Sequence, residues 1–274
     1  MKSHYLCPLC HSPLHVHQAS EGLHCANKHH FDKGEQGYWV FSQAKKPHLD
    51  SRQLMRAKHF LLESGIFTPV VEAMQRQLSA LTPAETTLSH LDFDCGEGYY
   101  LRALAAVFEA LSLTVSQTGI AEAENALFVA AKAQSGASLI QSQLKKLPFE
   151  DASFDLVTLI DKPLKGKELL RVLKPGGHLM WLSPGPRHLW QIREFIYPNL
   201  VEKGGEPQQP SGLTLVASEH IRFNLDINGE QALTLLEMTP YAWRANDKVK
   251  RQIAQQDFAQ LEIDLYLTLA TKDA

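Results

Sequence analysis

Apolar and polar residues change rhythm twice along the chain. Residues 1–40 show no sustained period; they are turn-rich and hold most of the cysteine and histidine. Residues 53–80 then read as helical, with Leu54, Ala57, Leu61 and Leu62 recurring at helical spacing. Gly65 breaks that run, and a second helix follows Pro69 with Val70, Val71, Met74 and Leu78 on one face. From residue 88 the pattern alternates. Leu88 to Phe93 predicts a strand, followed by a glycine turn and a helix over 100–111. A strand over 113–120, an alanine-rich helix over 122–133 and a short strand over 138–141 come next. FDLVTLI, 154–160, is apolar and β-branched enough for a buried strand. A helix over 165–173, the turn Pro175-Gly176-Gly177 and a strand over 178–182 follow. Such alternation predicts an α/β fold with a doubly wound, mostly parallel sheet and helices on both faces. In the tail, 219–228 and 260–270 alternate apolar and polar around a helix over 229–237, and Ile263 to Leu269 is expected as an antiparallel edge strand.

The polar stretch 42–52, SQAKKPHLDSR, contains Pro47 and reads as a linker. The chain therefore divides into a small head over 1–41, a linker and helical segment over 42–85, and a body over 86–274. A chain of 274 residues is long enough to bury a substantial core. No apolar run approaches the roughly 18–20 residues of a membrane span. The N-terminus MKSHYLCPLC lacks the apolar stretch of an export signal, so no membrane association is expected and the protein is placed in the cytoplasm.

Cysteine spacing adds the first chemistry. Cys7-x2-Cys10 precedes Cys25-x3-His29 by 14 residues. Two facing turns of this kind point three thiolates and one imidazole at a single ion, a donor set that suits zinc. His30 is an alternative fourth ligand, and His29 is preferred. A segment with so few large apolar residues needs such a staple to fold. With four positions filled, no coordination site is left open, so the metal is structural. Residues 1–60 carry eight Lys and Arg against four Asp and Glu, while the whole chain is at -3. A basic head on an acidic body suits an anionic partner.

The strand ending at Asp92 runs into Cys95-Gly96-Glu97-Gly98, and a helix follows. That places Asp92 and a glycine loop at the carboxyl end of a first strand, where doubly wound folds bind ligands. LKKLPFEDASFDLV and LLRVLKPGGHLMW follow at sensible spacing. Together these three stretches resemble the class I, Rossmann-like S-adenosylmethionine-dependent methyltransferases. CPLCHSPL, CANKHHFDKGEQGY, GIFTPV, DCGEGYY, LPFEDASFD, LKPGGH, SPGPRHL and MTPYAWRA narrow the likeness to the ribosomal RNA guanine-N1 methyltransferase family, almost end to end. The resemblance implies a small N-terminal zinc-binding domain and an S-adenosylmethionine-dependent methyltransferase domain. The implied substrate is a guanine in a hairpin of large-subunit (23S) ribosomal RNA, and the implied assembly is often a homodimer. The family's zinc ligands fall on Cys7, Cys10, Cys25 and His29, and its cofactor contacts on Gly96, Glu97 and His188. A cofactor-site tyrosine falls on Phe67, which keeps the ring and loses the hydroxyl.

Two positions depart from the pattern. Asp94 stands where methyltransferase loops place their first glycine, and Ala121 where the second strand usually ends in a ribose-binding acid. Two like charges about 4–5 Å apart at an effective dielectric near 20 repel by roughly 3–4 kcal/mol, so Asp94 could oppose the cofactor's carboxylate. Alternatively, Asp94 meets the cofactor's ammonium. Glu122 and Glu124 stand near Ala121 but out of register. A second reading follows, a non-catalytic RNA-binding relative with a weakened cofactor site. If the enzyme is active, Asp161, just past the fourth strand of the body, is the candidate general base. Arg187 is a candidate phosphate contact. Trp190 and Trp243 are read as core residues in the first instance and as base-stacking platforms in the second.

Overall fold

The computed structural model describes residues 2–17, 20, 22–41, 51–81, 87–164, 167–202, 204–205 and 211–273. The stretch read as a linker lies almost wholly outside them. The head is an antiparallel ribbon of β1 (Lys2–Leu6), β2 (Pro13–Val16), β3 (Leu23–His24) and β4 (His30–Phe31), paired in chain order. Its next strand, β5 (Trp39–Val40), leaves the ribbon. The body follows with α1 (Arg52–Glu63), α2 (Thr68–Leu78), β6 (Leu88–Phe93), α3 (Tyr99–Ala110), β7 (Val115–Ala121), α4 (Glu124–Lys132) and β8 (Ser138–Gln141). Then come β9 (Phe154–Ile160), α5 (Glu168–Val172), β10 (Leu173–Pro184), α6 (Trp190–Arg193), β11 (Leu213–Ile227), α7 (Gly229–Glu237), a 3-10 helix (Pro240–Arg244), α8 (Asp247–Ala254) and β12 (Phe258–Lys272).

Eight strands form one sheet in the order β11-β12-β10-β9-β6-β7-β8-β5. The strands from β10 to β5 run parallel, and β12 is antiparallel to both its neighbours. The order reverses between β6 and β9, which is where doubly wound sheets open a crevice at their carboxyl ends. The tail differs from the sequence expectation: β12 is antiparallel but internal, and β11 takes the edge. The burial pattern explains this. β12 carries the near-continuous apolar run of a strand covered on both faces, whereas β11 alternates as an edge strand does. A second difference concerns Pro175-Gly176-Gly177, which lies within β10 as a register shift between Leu173 and His178, with Gly176 at φ +75°.

Among the described residues, the ribbon has no core separate from that of the body. Leu14, Leu23, Phe31 and Phe41 pack in one cluster with Leu147, Phe149 and Phe154 of the body. Backbone bonds join them too: Leu6 N donates to Pro148 O, and β5 lies parallel to β8 on the sheet edge. Shared burial of this kind supports a small segment that is too short to exclude water alone. α1 is capped by Ser51, whose Oγ accepts from Leu54 N, and packs against α3, α4 and α7. α1 therefore roofs the carboxyl ends of the central strands. No helix among the described residues is long and apolar enough to cross a membrane.

Gly119 in β7 marks the tightest packing beneath the crevice. A Cβ there would sit 2.7 Å from Leu101 Cδ1 and 2.9 Å from both Cys95 Sγ and Leu139 Cδ2. Gly119→Val should cost about 1–3 kcal/mol through overpacking, seen as a lowered midpoint in urea unfolding, while a surface control such as Glu109→Gln leaves the midpoint unchanged.

Candidate functional site

The turn after β1 and the turn after β3 bring Cys7, Cys10, Cys25 and His29 together, with all four donor atoms within 4.8 Å of one another. His29 Nδ1 lies 3.4 Å from Cys7 Sγ and 3.4 Å from Cys25 Sγ, and Cys10 Sγ lies 3.6 Å from Cys25 Sγ. These separations are those of ligands around one tetrahedral ion with bonds of about 2.0–2.3 Å. The donor set therefore fits zinc. His30 turns the other way, placing its Nε2 3.0 Å from Asp32 Oδ1 on the exposed surface, so the fourth ligand is His29.

At the reversal point a cavity of about 340 Å³ crosses the carboxyl ends of β9, β6 and β7. Asp92, the β6–α3 loop and Glu122 line it, with Asp161 and Lys162 at its β9 end and Met55, Lys58 and Leu62 of α1 above. Gly96 has φ +56°, and a Cβ on it would meet nothing within 4 Å, so its backbone faces open space. Gly98 at φ +83° is the N-cap of α3, where a Cβ would press on Ala130 at 3.1 Å; its role is to seat the helix rather than to line the cavity.

Glu97 is buried. Its Oε2 accepts from Arg102 Nη2 at 2.8 Å and lies 2.7 Å from His59 Nδ1, while Oε1 has no hydrogen-bond partner among the described residues. Asp92 Oδ1 accepts from Thr158 Oγ1 at 2.8 Å, and Thr158 Oγ1 lies 3.0 Å from His90 Nε2. Burial, reinforced by the charges of Asp94 and Glu97 against that hydrogen bond, pushes the Asp92 carboxyl up to about 7. An orphaned carboxylate oxygen and several acids around an open loop suit a ligand that carries positive charge, as S-adenosylmethionine does at its ammonium and sulfonium. The residues fit that cofactor.

The two departures look different in place. Asp94 takes φ +57°, a left-handed conformation natural to glycine and tolerated by aspartate. Its Oδ2 meets Lys162 Nζ at 2.9 Å, so the carboxylate is neutralised by the loop after β9 and the bare repulsion expected from sequence is offset. Beyond Ala121, Glu122 does reach the cavity despite its register; its Oε1 accepts from Leu144 N at 2.9 Å.

Asp161 joins three spaces. It lines the cofactor-sized cavity, a wide cleft of about 920 Å³, and a small pocket of about 50 Å³. Its backbone is left-handed at φ +49°. Burial pushes its carboxyl up to about 7 against the pull of Lys162. Phe67 and His188 lie together in the small pocket, on the far side of Tyr100 and Ile160 from the glycine loop. Burial lowers His188 to about 4, and its Nδ1 accepts from Asp264 N. The wide cleft runs between α1, α7 and the 3-10 helix. On its wall Trp243 is 84% exposed, which corrects the core reading for that residue. Trp190 is held by Glu194 and by the guanidinium groups of Arg187 and Arg193 over its ring. Arg187 itself donates twice to Glu262, at 2.5 and 2.6 Å, so it is committed to an internal ion pair and is not an open phosphate contact. Lys162, Tyr100 and the α1 residues escaped sequence reading, because no motif marks a roof helix from a distant segment.

Both raised carboxyls tie stability to pH. Between the ordinary carboxyl range and about 7 the folded chain holds protons that the unfolded chain has released, so stability falls as pH rises through that window. Asp92→Asn removes one such proton and should flatten the slope of unfolding free energy between pH 4 and 7 by at most about 1.4 kcal/mol per unit, measured by urea titration. For the metal centre, the purified chain should contain one zinc equivalent by atomic emission, and Cys25→Ser should lose it together with ribbon amide protection in hydrogen exchange.

Comparison with known proteins agrees with this geometry. Residues 91–181 match the family described as "Methyltransferase domain", and residues 5–40 match "RlmA, N-terminal", a zinc ribbon. A Bacillus subtilis (strain 168) protein, YxjB, provisionally named a 23S rRNA (guanine-N(1)-)-methyltransferase, is 26% identical over 98% of this chain and 98% of its own length. The 23S rRNA (guanine(748)-N(1))-methyltransferase of Streptomyces fradiae is 25% identical over 91% of this chain and 89% of its own. A solved phosphoethanolamine N-methyltransferase 2 from Haemonchus contortus overlaps 82% of this chain and 58% of that one, at 15% identity and a TM-score of 0.48. With the ribbon, its four metal donors and the reversal-point cavity, the chain carries a methyltransferase domain behind a zinc ribbon and is similar over most of its length to proteins named 23S rRNA guanine-N1 methyltransferases.

Proposed function

We propose that this protein transfers a methyl group from S-adenosylmethionine to N1 of a guanine in 23S ribosomal RNA, with Asp161 as the general base. The observation that carries the reading is the position of Asp161, on a wall shared by a cofactor-sized cavity and a cleft wide enough for a nucleotide. Bound in the cavity, the cofactor supplies an electrophilic methyl group. The chain's residues do the rest. The β6–α3 loop, with Asp92, Gly96, Glu97 and Glu122, holds and orients the cofactor. Phe67 and His188 back the site from the small pocket, where neutral His188 adds no charge.

Guanine N1 carries a proton that must leave as the new bond forms, and a carboxylate within reach accepts it. Asp161 is suited to this because burial brings its proton affinity close to neutral, where a base is both available and strong. The RNA enters along the wide cleft, and Trp243 offers an exposed ring on which an unstacked base rests. In the same reading the active species is a homodimer working in the cytoplasm, and sedimentation of the purified chain checks the assembly. The non-catalytic reading is not favoured: it rested on an unpaired Asp94 and a missing acid, whereas Asp94 is paired and Glu122 lines the cavity.

Asp161→Asn should lower kcat by about 10²–10⁴-fold with cofactor affinity unchanged. In the unsubstituted enzyme kcat should rise with pH through about 7, since only the ionised carboxyl accepts a proton. A flat pH profile together with an active Asn variant would remove Asp161 from this role. Trp243→Ala should weaken RNA binding by about 1–3 kcal/mol in a filter assay and leave S-adenosylhomocysteine binding intact.

A further inference from the structure

The cofactor cavity has two unlike ends. Sheet order sets them, because β9, β6, β7 and β8 stand side by side. At the β7 end are Glu122, Ala123 and Leu144; at the β9 end are Asp94, Asp161 and Lys162. The wide cleft shares Asp161 and Lys162 with the second end. Because the adenosine end is longer than the amino-acid tail, the sulfonium comes nearer the cleft with the nucleoside toward β7 and the tail toward β9.

At the tail end Asp94 Oδ2 and Lys162 Nζ lie 2.9 Å apart, with side chains 24% and 46% exposed. They come from two different loops, one after β6 and one after β9. A carboxylate beside an ammonium is the complement of an α-amino acid, which presents an ammonium beside a carboxylate. A half-exposed ion pair contributes little by itself, so it opens readily to admit a second pair of opposite polarity. Four alternating charges then satisfy one another, and neither like-charged pair is left facing without a partner.

We propose that Asp94 and Lys162 form a clamp for the amino-acid end of the cofactor, Asp94 on its α-ammonium and Lys162 on its α-carboxylate, and that this clamp sets the preference for nucleosides bearing that tail. The proposal rests on the methyltransferase reading above. The competing role for the pair is a strap that merely ties the two loops together.

Calorimetry on the full-length, zinc-loaded protein separates the two roles. S-adenosylhomocysteine carries the tail, and 5′-methylthioadenosine lacks it. The unsubstituted protein should prefer the first by about 100-fold. Asp94→Asn and Lys162→Met should each weaken S-adenosylhomocysteine about tenfold or more, the span expected for one charged hydrogen bond, and leave 5′-methylthioadenosine unchanged. Retained binding of 5′-methylthioadenosine also reports that each variant is folded. The exchange of Asp94→Lys with Lys162→Asp keeps an ion pair but reverses its polarity, so a clamp stays impaired while a strap is rescued. Restored affinity in the exchanged protein, or single variants that leave the ratio of the two ligands untouched, would overturn the clamp and leave the methyltransferase reading standing. Failure of both ligands to bind the unsubstituted protein would remove both.

Discussion

Between β6 and β9 the strand order of the sheet reverses, and at such a point the flanking connections diverge and leave the carboxyl ends of two strands uncovered. The rest of the site depends on that opening. It is deep enough to bury Asp92 and half-bury Asp161, and desolvation raises both carboxyls to about 7. It is narrow enough that α1, a helix from before the sheet, closes its top. Carboxylates held this way are costly to the fold and useful to the chemistry. In the function proposed above, one helps to hold a cationic cofactor and the other stands where a proton must be taken.

Around this crevice the molecule separates two tasks. The ribbon holds its metal with a complete donor set and is anchored to the sheet edge through β5 and through the cluster around Phe149. With all four donors directed at one ion, it leaves no open coordination position. The body supplies the cofactor cavity and the cleft, and these meet along a wall that includes Asp161 and Lys162. Trp243 lines the cleft alone, whereas Gly96 and Glu97 line the cavity alone, so the two spaces can be altered separately by mutation.

Much of this was legible in the sequence. The zinc donors follow from spacing, since turn geometry is local. The parallel core follows from β-branched runs and glycine turns, Gly96 from its place after the first strand of the body, and Glu97 from the family resemblance alone. The misses are of another kind. The edge position of β11 depends on which strand the others leave uncovered. The exposure of Trp243 depends on how the 3-10 helix sits on α7, which its own seven-residue neighbourhood does not encode. Asp94 looked like a defect because its partner Lys162 lies in a different loop, and only the folded sheet brings the two to 2.9 Å.

The central claim is that a cofactor cavity and an RNA cleft meet at Asp161 to methylate guanine N1. A methyl group at N1 blocks Watson–Crick pairing and halts reverse transcriptase, so primer extension on unmodified 23S ribosomal RNA treated with the purified protein tests it most directly. The account predicts one new stop, immediately before a single guanine, that requires S-adenosylmethionine. Full-length extension at every guanine, with zinc-loaded protein and saturating cofactor, would contradict it.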